Sequence, residues 1–354
     1  MRNQGLSQLA ERTIDPPISW LMKLALDRPK LISLAAGFTD NASLPIEASA
    51  ELLRDLLAEP KIARASLQYG STAGDLNLRN LTVRRMEHLD GVAKGTYNHE
   101  NLLITHGSQQ FLYLLTECLC DAGDIVLVED PTYFVYLSIL QSHAIEARGV
   151  KLDRDGLDLT ALERVLERLK KEGSLPRVKM LYLVSYFQNP SGVTTSAAKK
   201  EAMLKLLRRF EKDAGHPIYL LEDAAYRELQ FSGAVVHSAL RSVGADKRVI
   251  FAGTYSKPFA TGVRVGFGYL PHALVQPVLR VKGNHDFGTS HLLQQLVRAA
   301  LASGKYEAHL PNLKSRYQRK AAVMEEAIRS HFPESVEWEP ATGGLYIWAR
   351  LPAS

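Results

Sequence analysis

Cysteine is nearly missing from this chain: Cys118 and Cys120 are the two among 354 residues, one position apart in an apolar run. That spacing suits neither a disulfide framework nor a zinc site, so the sequence predicts no metal and a reducing, cytoplasmic setting. Long apolar runs are missing too. No stretch reaches the ~18 residues that a bilayer requires, and the opening MRNQGLSQLAERTID lacks the apolar centre of a secretory signal. The expectation is a soluble protein with no membrane partner. Blocks of one charge are also lacking. The 43 basic and 38 acidic residues leave a net charge of +5 but are interspersed, which argues against a nucleic-acid partner. Repeats, low-complexity tracts and Pro/Gly/Ser linkers are absent, so a second domain must be built from segments that leave and rejoin the first.

What is present is a 46% hydrophobic composition, enough for a large core and, at this length, for two domains. Short apolar runs fall at Asn101–Thr105, Asp124–Val128, Lys179–Val184, Pro217–Leu221, Arg248–Ala252 and Val263–Leu270. Between them, Gln109–Leu119, Leu159–Leu169 and Ala197–Phe210 carry apolar residues at three- and four-residue intervals. This alternation predicts βαβ units, an α/β class with a mostly parallel sheet flanked by helices. After residue 290 the pattern turns helical, over His291–Ala302 and Pro311–Ser330, before a last strand at Gly344–Leu351. We therefore expect a large domain over 46–285 and a smaller α+β domain made from 1–45 and 286–354.

In open α/β sheets ligands bind beyond the carboxyl ends of the strands, and five such ends carry polar residues. In ITHGSQQ, Gly107 allows a tight turn and Ser108 reads either as the cap of a helix starting near Gln109 or as part of an anion site at that helix start. VLVEDPTY ends in Glu129 and Asp130, with Tyr133 either core or a stacker on a flat ring. QNPSG places Asn189 at a strand end, either as a turn initiator or as an amide for a ligand oxygen. YLLEDAAY leaves Glu222 and Asp223 to find a cation or stay at the solvent edge. Finally, GTYSKPFATGVRVG sets Thr254, Ser256, Lys257 and Arg264 among small and apolar neighbours, a grouping suited to a dianion. A phosphate cradle, a ring stacker, a carboxylate and an apolar-flanked lysine are together the parts that pyridoxal-phosphate chemistry needs at one sheet edge.

With these motifs in this order, the chain resembles the fold type I pyridoxal-phosphate enzymes of aminotransferase class I/II from about residue 30 onward. GTYSKPFATGVRVG is similar to the family's lysine signature, supported by ITHGSQQ, QNPSG, EDAAY and LQYGSTAGDLNLR. The segment RPKLISLAAGFTDNASLP resembles the 2-aminoadipate and kynurenine aminotransferase-like group, and also the effector domains of MocR-type regulators. The resemblance implies that Lys257 holds the cofactor as an aldimine, Asp223 pairs with the pyridine nitrogen, and Tyr226 and Asn189 bond the ring oxygen. It further implies that Tyr133 stacks on the ring, and that Ser108, Gln109, Thr254, Ser256 and Arg264 hold the phosphate. Tyr69 would reach the phosphate of a neighbouring subunit in a homodimer. Gly37 matches a substrate-contacting glycine, with Asn189 also facing substrate, while Ala36 stands where relatives often have a second glycine.

The implied reaction moves an amino group between an L-amino acid and a 2-oxo acid, with 2-oxoglutarate the expected acceptor. A regulatory module of the MocR effector type, or a lyase on the same lysine, are the alternatives. The family's carboxylate-binding arginine follows the element seen here as PATGGLYIW by some tens of residues and finds no counterpart before Ser354, so either the small domain is truncated, the favoured expectation, or another group holds the carboxylate. No arginine near Ile18–Leu21 offers a receptor for an acidic side chain, and the amino donor stays open.

Overall fold

A computed structural model describes residues 5–352 apart from 35, 36 and 38, so Ala36 lies outside the described residues. Eight strands form one sheet: β1 Leu102–Thr105, β2 Ile125–Asp130, β3 Glu146–Asp153, β4 Gly156–Leu157, β5 Val178–Val184, β6 Tyr219–Asp223, β7 Val249–Thr254 and β8 Gly266–Tyr269. Their spatial order is β1-β8-β7-β6-β5-β2-β3-β4. The central pairs β3/β2, β2/β5, β5/β6 and β6/β7 are parallel. The strand β8 runs against both β7 and β1, which makes the sheet mixed.

β1, β5 and β7 are apolar almost throughout because both faces of the sheet are covered. Alternate residues feed two cores. Val126, Met180, Leu221 and Ile250 pack with Phe111 and Leu115 of the helix Gly107–Leu119. On the other face Ile125, Leu127, Leu181 and Leu220 meet the helices Leu159–Lys171 and Ala197–Ala214.

Three expectations need correction. The strand β3 is absent from the apolar runs, because Glu146, Arg148, Lys151 and Asp153 are polar and much of it is only half-buried beside the short β4. The helix expected from Pro311 begins at Lys305 and runs through the proline to His331. The strand expected over Gly344–Leu351 shrinks to Ala349–Arg350, paired with Glu337–Trp338, because the residues before it bond instead to the segment after β6, Gly343 bridging to Gln230 and Gly344 N donating to Leu229 O.

The functional consequence of the topology is a shared edge. β1, β2, β5, β6 and β7 all finish there, with Val184 beside Asp223, Asp223 beside Ala252, and both Thr105 and Thr254 opposite Gly266.

Candidate active site

The chain leaves β1 and enters the helix Gly107–Leu119 through Gly107, whose φ of +69° strains any L residue. A Cβ there would also lie 2.8 Å from Arg264 Nη2. The N-cap is His106, which makes no side-chain cap. Ser108 therefore sits in the first turn rather than capping it, a correction to the capping reading. Facing this turn, Ser256 N donates to Thr254 Oγ1 at 3.1 Å, while Ser256 Oγ is buried with no hydrogen-bond partner. Arg264 is exposed, holds φ +50°, and forms no ion pair among the described residues. A helix start, an unpartnered hydroxyl and a guanidinium without a counterion fit a phosphate dianion.

At the end of β6, Asp223 is 4% exposed. Its Oδ2 accepts from the Tyr182 hydroxyl and its Oδ1 from Ala225 N, both at 3.1 Å. Burial outweighs these two bonds and pushes the carboxyl up to about 6. Such a group favours a cationic partner, and a protonated pyridine nitrogen is one. Neither acid of the Glu222–Asp223 pair stays at the solvent edge, since Glu222 is buried as well.

Asn189 Nδ2 lies 3.1 Å from the Tyr346 hydroxyl and 3.5 Å from that of Tyr226. Burial raises the Tyr226 phenol well above its ordinary range, so it remains protonated. The loop carrying Asn189 is held by Gln188, whose Nε2 donates to Glu129 Oε2 at 3.0 Å and to Pro131 O at 2.7 Å. Glu129 also accepts from Val184 N at 2.8 Å, and burial pushes its carboxyl up to about 8.

Lys257 follows β7, and its Nζ donates to the Gly37 carbonyl at 2.9 Å. Burial, reinforced by Arg264, lowers its ammonium to about 8. Ten residues named from the sequence line one cleft enclosing about 610 Å³, its open mouth included: Ser108, Gln109, Tyr133, Asn189, Asp223, Tyr226, Thr254, Ser256, Lys257 and Arg264. Gly37 meets it through Lys257. Tyr69 does not line this cleft; it is 81% exposed, edge-on to Phe287 at 5.4 Å. Tyr182, Glu129, Gln188 and Tyr346 support the site without having been given a role in it. Glu129 and Gln188 stood in the strand-end segments VLVEDPTY and QNPSG and Tyr346 in PATGGLYIW, whereas Tyr182, inside an apolar run, had no signal.

Sheet and cleft together define a fold type I pyridoxal-phosphate enzyme. Residues 29–354 match the family described as aminotransferase class I and II, and the chain belongs to it. It is 30% identical over 332 residues to aromatic-amino-acid aminotransferase 1 of Thermococcus litoralis, covering 94% of this chain and 76% of that one. It is 31% identical to 2-aminoadipate transaminase of Thermus thermophilus, covering 94% and 78%. The crystal structure of Pyrococcus horikoshii kynurenine aminotransferase superposes with a TM-score of 0.89 at 29% identity, over 99% of this chain and 83% of that one. The chain is thus a pyridoxal-phosphate-dependent aminotransferase. Among the described residues Ser256 Oγ has no hydrogen-bond partner and neither Arg264 nor the buried Asp223 forms an ion pair, and the three fit that cofactor's phosphate and pyridine nitrogen.

Proposed function

We propose that this enzyme transfers an amino group from an L-amino acid to 2-oxoglutarate, with Lys257 as the residue that holds the cofactor covalently and moves the reacting proton. The observation that carries this reading is the position of Lys257 Nζ: inside the cleft, bonded to a backbone carbonyl and not to a carboxylate. Pyridoxal phosphate, when bound, supplies an electron sink that makes an amino acid's Cα proton removable. The chain's own groups do the rest. With its ammonium lowered to about 8, Lys257 is a free base to a useful extent near neutral pH, so its Nζ can take the Cα proton and return it. Asp223 would keep a proton on the pyridine nitrogen. Tyr226 and Asn189 would donate to the ring oxygen, Tyr133 would lie against the ring, and Ser108, Gln109, Thr254, Ser256 and Arg264 would take the phosphate. Gly37 and Asn189 would face the amino acid. A dicarboxylic amino acid as one substrate is supported by the Thermus relative, which is named for 2-aminoadipate.

We read residues 46–285 as the cofactor-binding body and 1–45 with 286–354 as a cap, because Gly37 and Tyr346 approach the cleft from those two segments. A cytoplasmic homodimer is part of the same proposal. Its support is the exposed apolar surface at Trp20, Ile32, Leu34, Tyr69 and Phe287, with Tyr69 held outside its own chain's cleft. Mixing inactive Lys257→Ala and Tyr69→Ala chains should regenerate one intact site per mixed dimer, and a mixture that stays inactive would argue against shared sites.

The central test is borohydride reduction of the cofactor-loaded enzyme followed by peptide mapping. The cofactor should be recovered on Lys257, and Lys257→Ala should lose both the trapped cofactor and at least roughly 10³-fold in turnover. Recovery on another lysine would sink the proposal.

A further inference from the structure

The element PATGGLYIW enters the site through a steric key. Phe187 holds φ +45° immediately before Gln188 and Asn189. Its side chain occupies the space where Cβ atoms on Gly343 and Gly344 would come, at 2.4 and 2.5 Å. Gly344 N further donates to Leu229 O at 3.2 Å, and Gly343 bridges to Gln230. Two segments far apart in the chain are thereby locked in register. The result is a hydroxyl placed where three functional segments meet. Tyr346 Oη accepts from Asn189 Nδ2 at 3.1 Å, and its ring stands edge-on to Tyr226 at 5.9 Å and 88°. A Cβ on Gly37 would lie 2.7 Å from that same oxygen, while the Gly37 carbonyl receives Lys257 Nζ.

An asparagine amide has two N–H donors and can rotate or flip, so which atom it presents depends on what holds it. Tyr346 takes one donor. The contact to Tyr226 at 3.5 Å is too long to hold the other firmly. We infer that Tyr346 is a positioning residue for the transfer reaction: its hydroxyl orients the Asn189 amide so that the remaining N–H faces the cofactor's ring oxygen. This rests on the proposed function above. Without the hydroxyl the amide is free to turn, the donor to the ring oxygen is lost for part of the time, and the anionic form of that oxygen is less favoured.

The test is Tyr346→Phe, which keeps the ring and its edge contact, read first by spectroscopy. The visible absorbance of the bound cofactor should titrate at a pH higher than in the wild type by about half a unit or more. Turnover should fall roughly tenfold, with KM for the amino acid within about threefold, as expected for an interaction that matters more in the transition state than in binding. Gly37→Ala, which displaces the hydroxyl without removing it, should shift the titration in the same direction. Coincident titrations of Tyr346→Phe and wild type, with the cofactor mapped to Lys257 in both, would overturn this role and leave the proposed function standing. Cofactor mapped elsewhere than Lys257 would overturn the proposed function and this inference with it.

Discussion

The two faces of the β6 end treat the same chemistry in opposite ways. Glu222 points to one face and pairs with Lys200 at 2.7 Å, the two side chains 0% and 1% exposed. Lys200 Nζ also donates to His237 O at 3.0 Å and sits 4.0 Å from the centre of the Tyr186 ring. Asp223, one residue on, points to the other face, where Lys257 also lies, yet neither forms an ion pair among the described residues. A buried charge without a partner is costly. On the first face the cost is met within the protein, and the pair is structural. On the second the acid and the amine are left separate, one raised to about 6 and the other lowered to about 8, which is the state of groups awaiting a ligand that satisfies both.

Asp223→Asn tests the open face most severely. Turnover should fall by roughly three orders of magnitude, the scale on which a misplaced charge or proton acts inside a site, while the cofactor still binds. Stability should move the other way. The folded carboxyl titrates at about 6 against an ordinary 3.8, so its burial costs nothing below about pH 4, an increasing amount up to pH 6, and a constant amount above. The cofactor-free Asn variant should therefore melt above the cofactor-free wild type at pH 8, by at most about 3 kcal/mol in stability, and the two should coincide near pH 4. Near-normal turnover, or a melting difference independent of pH, would break the contrast between the two acids.

Lys200→Met tests the closed face. Leaving Glu222 buried and unpaired should cost about 3–5 kcal/mol in denaturant unfolding, and adding Glu222→Leu should recover most of it. Turnover per folded molecule should stay near wild type, because neither residue lines the cleft. A thousandfold loss of turnover with little destabilisation would mean that the faces had been assigned the wrong way round.

The smallest effect is expected from Gly107→Ala. The left-handed backbone disfavours alanine by roughly 1–2 kcal/mol, and the new methyl must displace the Arg264 guanidinium. Cofactor affinity, followed by fluorescence titration, should weaken about tenfold. An unchanged Kd would show that the phosphate does not depend on this helix start.

The central strands could be read from the sequence because burial on both faces writes a continuous apolar run. β3 could not, since its charged residues at a lightly covered position erase that signal. The residues lining the cleft were readable because the ends of parallel strands gather at one edge. Residues that hold them from behind were not. Tyr182 is masked by the apolar run that holds it, while Glu129 and Gln188 could be seen at strand ends but their partners, which decide what they do, lie on other elements. The Arg264 segment shows the same limit at finer scale: the run Val263–Leu270 suggested a longer strand, but the left-handed Arg264 delays β8 to Gly266.

The sequence alone determined which chemical groups stand at the strand ends and, through the two-residue period of a strand, that Glu222 and Asp223 face opposite ways. That much is local. Only the tertiary structure decided that Lys200 reaches Glu222, that among the described residues no cation pairs with Asp223, and that Tyr346 is carried to Asn189 by Phe187 wedged against two glycines. Spacing along a chain sets direction, whereas the distance between side chains on separate elements is set by how those elements pack.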